Sequence, residues 1–97
     1  MLEFDFTSRN LGKVKRNNVI NFCITGTSTY GVPVTIQSKG ACGCTTTKDV
    51  NVNPGEKFEI KGQITGRSTS GKKSVRIYDP LNPTEILQII SFTYTVV

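Results

Sequence analysis

No histidine and no tryptophan occur anywhere in the 97-residue chain, and there is a single methionine. Missing histidine removes the usual general base and the usual zinc partner together. Alanine and leucine supply only five residues between them, so the strongest helix formers are nearly absent. No apolar run approaches the 18 residues that a membrane-spanning helix needs. The N-terminal segment Met1 to Phe6 carries two acids and lacks a basic region followed by a long apolar stretch, so no secretory signal is read in the chain as written. Acidic residues are scarce too, seven against twelve Lys and Arg. These absences argue against an enzyme, and no cofactor and no metal site are expected.

What is abundant points one way. Thr, Val and Ile supply 31 residues, and β-branched side chains suit a pleated surface. The length fits one domain over residues 1–97, with a modest core and no room for a deep catalytic cavity. Leu2, Phe4 and Phe6 alternate with polar residues as in a half-buried strand. Leu11-Gly12-Lys13-Val14 reads as a bend followed by a short strand, and Ile20, Phe22 and Ile24 mark a second clear strand. Gly26 to Gly31 reads as a polar loop. Pro33 precedes a strand at Val34 and Ile36, Gly40 to Cys44 is a Gly-rich turn that includes Cys42, Gly43 and Cys44, and Val50 and Val52 form a further short strand. In Asn53-Pro54-Gly55-Glu56, Pro54 presets φ and Gly55 tolerates a positive φ, the pattern of a tight turn.

Beyond that turn, Phe58, Ile60 and Ile64 share a strand face, with Gly62 as a bulge or a close backbone approach. Gly66 to Gly71 is a polar loop, Val75 and Ile77 give another strand, and Asp79 to Pro83 is a connection. Ile86, Ile90, Phe92, Tyr94 and Val96 share the face of a long final strand. From Gln88 to Val97 that strand carries no charge. It reads either as a central or sheet-covered strand buried on both faces or as an edge or tail that docks on a neighbouring subunit. The whole predicts an all-β, Ig-like β-sandwich of about seven strands in two antiparallel sheets.

The basic excess of +5 falls in two clusters, Arg9, Lys13, Lys15 and Arg16, then Arg67, Lys72, Lys73 and Arg76. Phe4, Phe6, Phe22, Phe58, Phe92 and Tyr94 occupy inward positions, so stacking platforms for single-stranded nucleic acid are hard to find. The clusters are read as a solvated surface or as a patch for an acidic protein partner, with nucleic acid disfavoured. The three cysteines offer little chemistry. A bridge between Cys42 and Cys44 is too tight, and pairing of Cys23 with either leaves an odd thiol. Three thiolates lack a fourth ligand. Structural cysteines are expected; a disulfide, and redox or metal chemistry, stay as alternatives.

Taken in order, several landmarks carry a resemblance. They are Phe4 and Phe6, Leu11-Gly12-Lys13-Val14, Ile20 to Ile24, Pro33-Val34-Thr35-Ile36, Cys42-Gly43-Cys44-Thr45, Pro54-Gly55-Glu56, and Gly66-Arg67 to Gly71. The chain resembles a family of Ig-like domains of unknown function with a Cys-Gly-Cys-Thr motif, related to Hydin-type and major-sperm-protein-like domains. The resemblance spans almost the whole chain. It implies an Ig-like sandwich, no enzymatic activity and no catalytic residue, and membership of a mostly exported group. Two features depart from that pattern: Thr25-Gly26-Thr27-Ser28 replaces the Asn and Gly after the second strand, and the export segment is not seen.

With no chemistry of its own, the domain is expected to act through a partner. The leading expectation is an auxiliary subunit decorating a larger symmetric assembly, such as a virus or bacteriophage capsid, held to a repeated acidic surface such as a major capsid protein. This places it on the virion or in the host cytoplasm during assembly. Arg9, Lys13, Lys15 and Arg16 are the candidate contacts. The alternatives are an exported scaffold or adhesion module in the bacterial periplasm or at the cell surface, and a thiol redox or metal-binding protein.

Overall fold

A computed structural model describes residues 2–40, 45–65 and 71–97. Ten strands follow in chain order: β1 Leu2–Phe4, β2 Ser8–Val14, β3 Val19–Ser28, β4 Val34–Ile36, β5 Ser38–Gly40, β6 Thr45–Thr47, β7 Val50–Val52, β8 Lys57–Thr65, β9 Gly71–Asp79 and β10 Asn82–Val96. They form one sheet in the order β1-β3-β8-β6, a second in the order β2-β10-β9-β5, and a two-stranded ladder of β4 with β7. No helix interrupts them among the described residues.

The core lies between the two four-stranded sheets, because alternate residues of each strand face inward. Phe22, Ile24, Phe58, Ile60 and Ile64 enter it from the first sheet, and Val75, Ile77, Ile90, Phe92 and Tyr94 from the second. Val34, Ile36 and Val52 of the small ladder are buried with them. Phe22 meets Phe92 across the gap at 4.7 Å between ring centroids, and Phe6 meets the same ring edge-on at 6.0 Å. Such aromatic pairs are worth about 0.5–1.5 kcal/mol beyond the area they bury.

The β3·β8 ladder rests on a repeated pattern. Phe22, Ile24 and Gly26 on one strand match Phe58, Ile60 and Gly62 on the other, and antiparallel pairing sets Phe22 opposite Gly62, Ile24 opposite Ile60, and Gly26 opposite Phe58. Each phenyl ring lies over the glycine facing it, so a Cβ at Gly26 would strike the Phe58 ring and the Glu3 carbonyl. One at Gly62 would strike the Phe22 ring and the Thr46 carbonyl. Gly62 is therefore a close approach and not a bulge; the ladder is regular through it.

Several expectations need correction. Both four-stranded sheets are antiparallel except for one ladder, since β2 runs parallel to β10. The cause is a strand switch: β1 pairs with β3 in the first sheet, then the chain crosses at Asp5 to Thr7 and continues in the same direction along β10. Gly26 to Gly31 is not wholly a loop, because β3 continues to Ser28, whose N–H donates to the Glu56 carbonyl at 2.9 Å. Strands β5 and β6 are short and polar, without the apolar alternation that would mark them in advance.

Pro83 lies inside β10, in the unpaired stretch between Asn82 and Ile86, where no ladder N–H is required. The register shift around Ile86 leaves that side chain 48% exposed, out of the face it was expected to share. β10 is a central strand, as one reading had it, lying between β2 and β9; it is not an edge, nor is it buried on both faces, since Ile89 is 47% exposed on its outward face. The Asn53–Glu56 turn forms as expected. Glu56 N–H donates to the Asn53 carbonyl at 3.1 Å, the Asn53 amide donates to Glu56 Oε1 at 2.8 Å, and Gly55 has φ 75°.

Candidate partner-binding faces

Directly paired residues point to the same side of a sheet, so register determines which charges share a face. On the second sheet, Asn10, Thr93 and Lys72 form one row; Ser8, Ser91 and Ser74 the next. Ile89, Arg76 and Lys39 form a third, and Lys13 pairs with Thr95 at the opposite end. These rows alternate with the buried Ile90, Phe92 and Tyr94 and therefore face outward. Lys13, Lys39, Lys72 and Arg76 thus share one face, set among hydroxyls and amides, and no carboxylate occupies those rows.

Strand alternation splits both sequence clusters. Lys13 joins the outward face, whereas Arg9 pairs with inward Phe92 and lays its guanidinium 3.8 Å from the Phe6 ring centroid, a cation–π contact closing the side of the core. Lys15 and Arg16 sit in the turn after β2, closed by Asn18 N–H donating to the Lys15 carbonyl at 3.2 Å and by the left-handed Asn17 at φ 63°. In the second cluster, Lys73 pairs with inward Phe92, and Arg67 lies outside the described residues. Sequence proximity missed Lys39, which only cross-strand pairing brings beside Arg76. The turn residues Pro54 and Gly55 are exposed, at the end of the first sheet; Cys42, Gly43 and Cys44, like 66–70 of the polar loop, lie outside the described residues.

The outward face of the first sheet mixes its charges. Glu3 and Lys57 both pair with Thr27, Glu59 pairs with Thr25, and Lys61 pairs with Cys23. Asp5 accepts a hydrogen bond from Thr25 Oγ1 at 2.6 Å. A concavity on this face is lined by Asn21, Cys23, Thr46, Lys48, Lys61 and Gln63, among others, and no carboxylate lines it. Cys23 is a free, half-buried thiol. Burial pushes its pKa up, Glu59 adds to this, and Lys61 and Arg9 oppose it. A thiol raised in this way is a poor nucleophile and a poor metal ligand at neutral pH. Among the described residues no three His, Cys, Asp or Glu gather around a point that could hold a metal ion, and no helix is long and apolar enough to cross a membrane.

Residues 2–93 match the family described as "Protein of unknown function (DUF1573)". The chain belongs to the DUF1573 family. No curated protein matches this DUF1573 chain. Among solved structures it is similar to the ASH / PapD-like domain of human CEP192 (PapD-like domain 7), with a TM-score of 0.70 at 7% identity, covering 99% of this chain and 84% of that one. At that identity the likeness establishes the fold alone: this DUF1573 member is an Ig-like β-sandwich, similar to that PapD-like domain.

Proposed function

We propose that the protein is a non-enzymatic docking module that binds an acidic protein surface through the outward face of its second sheet. The observation that carries this reading is the set Lys13, Lys39, Lys72 and Arg76 on one face with no carboxylate in the same rows. Cations arranged over a flat sheet steer an acidic partner and fix its orientation more than they add raw affinity. Burial pushes up the pKa of Cys23, the one thiol placed by the described structure, which disfavours thiolate chemistry there. At the level of biology, the proposal is an auxiliary subunit on a larger assembly that presents a repeated acidic surface, with a virus or bacteriophage capsid as the first case to test.

The test is sedimentation of native material, following the chain by mass spectrometry. Co-sedimentation with a megadalton particle at fixed ratio is the expected result, lost in a Lys72→Glu/Arg76→Glu variant that still folds. Recovery as a monomer in an exported fraction would replace this reading with an envelope scaffold module.

A further inference from the structure

We propose that the open edge of β3, Val19–Cys23, takes up an extended segment of a partner protein in which acidic and apolar residues alternate, adding it as a further strand to the first sheet. The edge exists because β1 is too short to cover it. β1 pairs only with Gly26 to Ser28, and Asp5 N–H then donates to the Thr25 carbonyl at 3.0 Å. Beyond that point the chain crosses to the second sheet, where the Thr7 carbonyl accepts from Ser91 N–H at 2.9 Å. Among the described residues no strand takes the place of β1 beside Val19 to Cys23.

The direction of the backbone groups follows from the same bonds. The Thr25 carbonyl points to the β1 side, and strand groups alternate in direction, so the N–H and C=O of Cys23, Asn21 and Val19 point to the vacated side as well. Ile20, Phe22 and Ile24 point the other way, to β8. That ladder is unbroken from Val19 to Thr27.

Exposed edges are normally blunted by charge, proline or a bulge, and the β2 edge is. Gly12 at φ 84° creates a register shift against β10, its N–H is taken by Asn10 Oδ1 at 2.7 Å, and Arg9 and Lys13 flank it. Val19 to Cys23 contains no charge, proline or glycine, and its ladder carries no bulge. It is an available edge.

The chemistry of the occupant follows from the cleft beside this edge, lined by Lys13, Val14, Lys15, Asn18, Val19 and Ile20, with Asn21 at its end. Val14 and Ile20 are half-buried and pack against the core, which suits apolar side chains on the inward side of an added strand. Lys13 and Lys15 stand at the mouth, and no carboxylate lines the cleft. Acidic residues on the alternate positions complement these cations. Five residues of edge correspond to about 17 Å of strand, enough to hold a short linear segment.

This inference rests on the reading of the protein as a protein-binding module and shares only Lys13 with the basic sheet face, and one experiment separates the two. The probe is a capped seven-residue peptide alternating valine and glutamate, followed by amide hydrogen exchange. In the free protein, Asn21 and Cys23 should exchange at least tenfold faster than Ile20, Phe22 and Ile24. Saturating peptide should slow Asn21 and Cys23 at least tenfold, and a peptide with lysine in place of glutamate should not. Asn21→Pro deletes an edge N–H without touching the β8 ladder and should weaken the peptide at least tenfold, whereas Lys72→Glu/Arg76→Glu should leave it within twofold. Unchanged exchange at Asn21 and Cys23, equal binding of the lysine peptide, or protection confined to β9 and β10 would overturn the proposal. So would concentration-dependent protection of the edge in the free protein, which would assign it to a second copy. Should Asn21→Pro fail to fold, the exchange pattern of the unmodified protein decides alone.

Discussion

The β3·β8 ladder and the ladders around β10 are built on different terms. β3 and β8 pair without a break from Val19 to Thr27, and each strand carries the same Phe-x-Ile-x-Gly pattern, so every phenyl ring finds a glycine opposite. A slip by one residue would turn both phenyl rings out of the core and set side chains where only hydrogen fits. β10 instead meets a parallel, bulged strand on one side and an antiparallel strand with two register shifts on the other. There, no single pairing is specified by the strands themselves. The lesson is that one ladder defines the frame of the sandwich by local complementarity, while the other is placed by the closing of the fold.

Breaking that frame should cost most. Phe22→Ala removes the ring that covers Gly62 and meets Phe92, at an expected cost of about 3–5 kcal/mol through cavity formation. Chemical denaturation should show it, as a large share of the stability of a small domain. Gly26→Ala and Gly62→Ala overpack the same ladder and should each cost about 1–3 kcal/mol. Gly31→Ala, with nothing within 4 Å of its added Cβ, is the control and should be close to neutral. Equal losses at all three glycines would refute the ring-over-glycine account of register.

On the β10 side, Gly12→Ala forces an L-residue into the left-handed region and should cost about 1–2 kcal/mol. The accompanying measurement is amide exchange in β2, which should loosen without disturbing β3 and β8. Lys72→Glu/Arg76→Glu should change stability by no more than about 1 kcal/mol, since exposed charges contribute little, while abolishing partner association. A pair of reversals that unfolded the domain would show that these cations belong to the frame and not to a docking face.

The smallest expected effect is alkaline. Burial, with help from Glu59, raises the Cys23 pKa above its ordinary 9.0. Burial, followed by Asp79, raises Tyr30 above 10.0, the Tyr30 hydroxyl donating to Asp79 Oδ1 at 3.3 Å. For an acid whose folded pKa is raised, the unfolded chain loses its proton first. Stability is therefore full below the ordinary value and falls as pH rises through the folded one. Thermal melts should show a decline beginning near pH 9 that is shallower in Cys23→Ser and, above pH 10, shallower in Tyr30→Phe. An identical decline in both variants would assign the loss to other groups.

Legibility in the sequence followed the same division. Where alternation was strict, as in Ile20 to Ile24, Phe58 to Ile64 and Ile90 to Tyr94, the strand and its buried face could be read directly. The Asn53–Glu56 turn could be read because Pro54 and Gly55 have specific backbone preferences. The continuation of β3 through Gly26 could not, since glycine reads as a loop until the Phe58 ring that occupies its space is known. The cationic face was only half legible. Lys13, Lys72 and Arg76 stood in the charged clusters, but Lys39 did not, and Arg9 proved to serve the Phe6 ring.

By itself, then, the amino-acid sequence determined the class of the fold and most of the core residues, because apolar alternation acts within a single strand, whereas the β3·β8 register emerged only with the paired strands. Only the tertiary structure decided the parallel β2·β10 ladder, the sorting of cations onto one face and the uncovered edge at Val19–Cys23. Each depends on where a strand switches sheets, a choice made by the packing of both sheets around one core and not by any local run of residues.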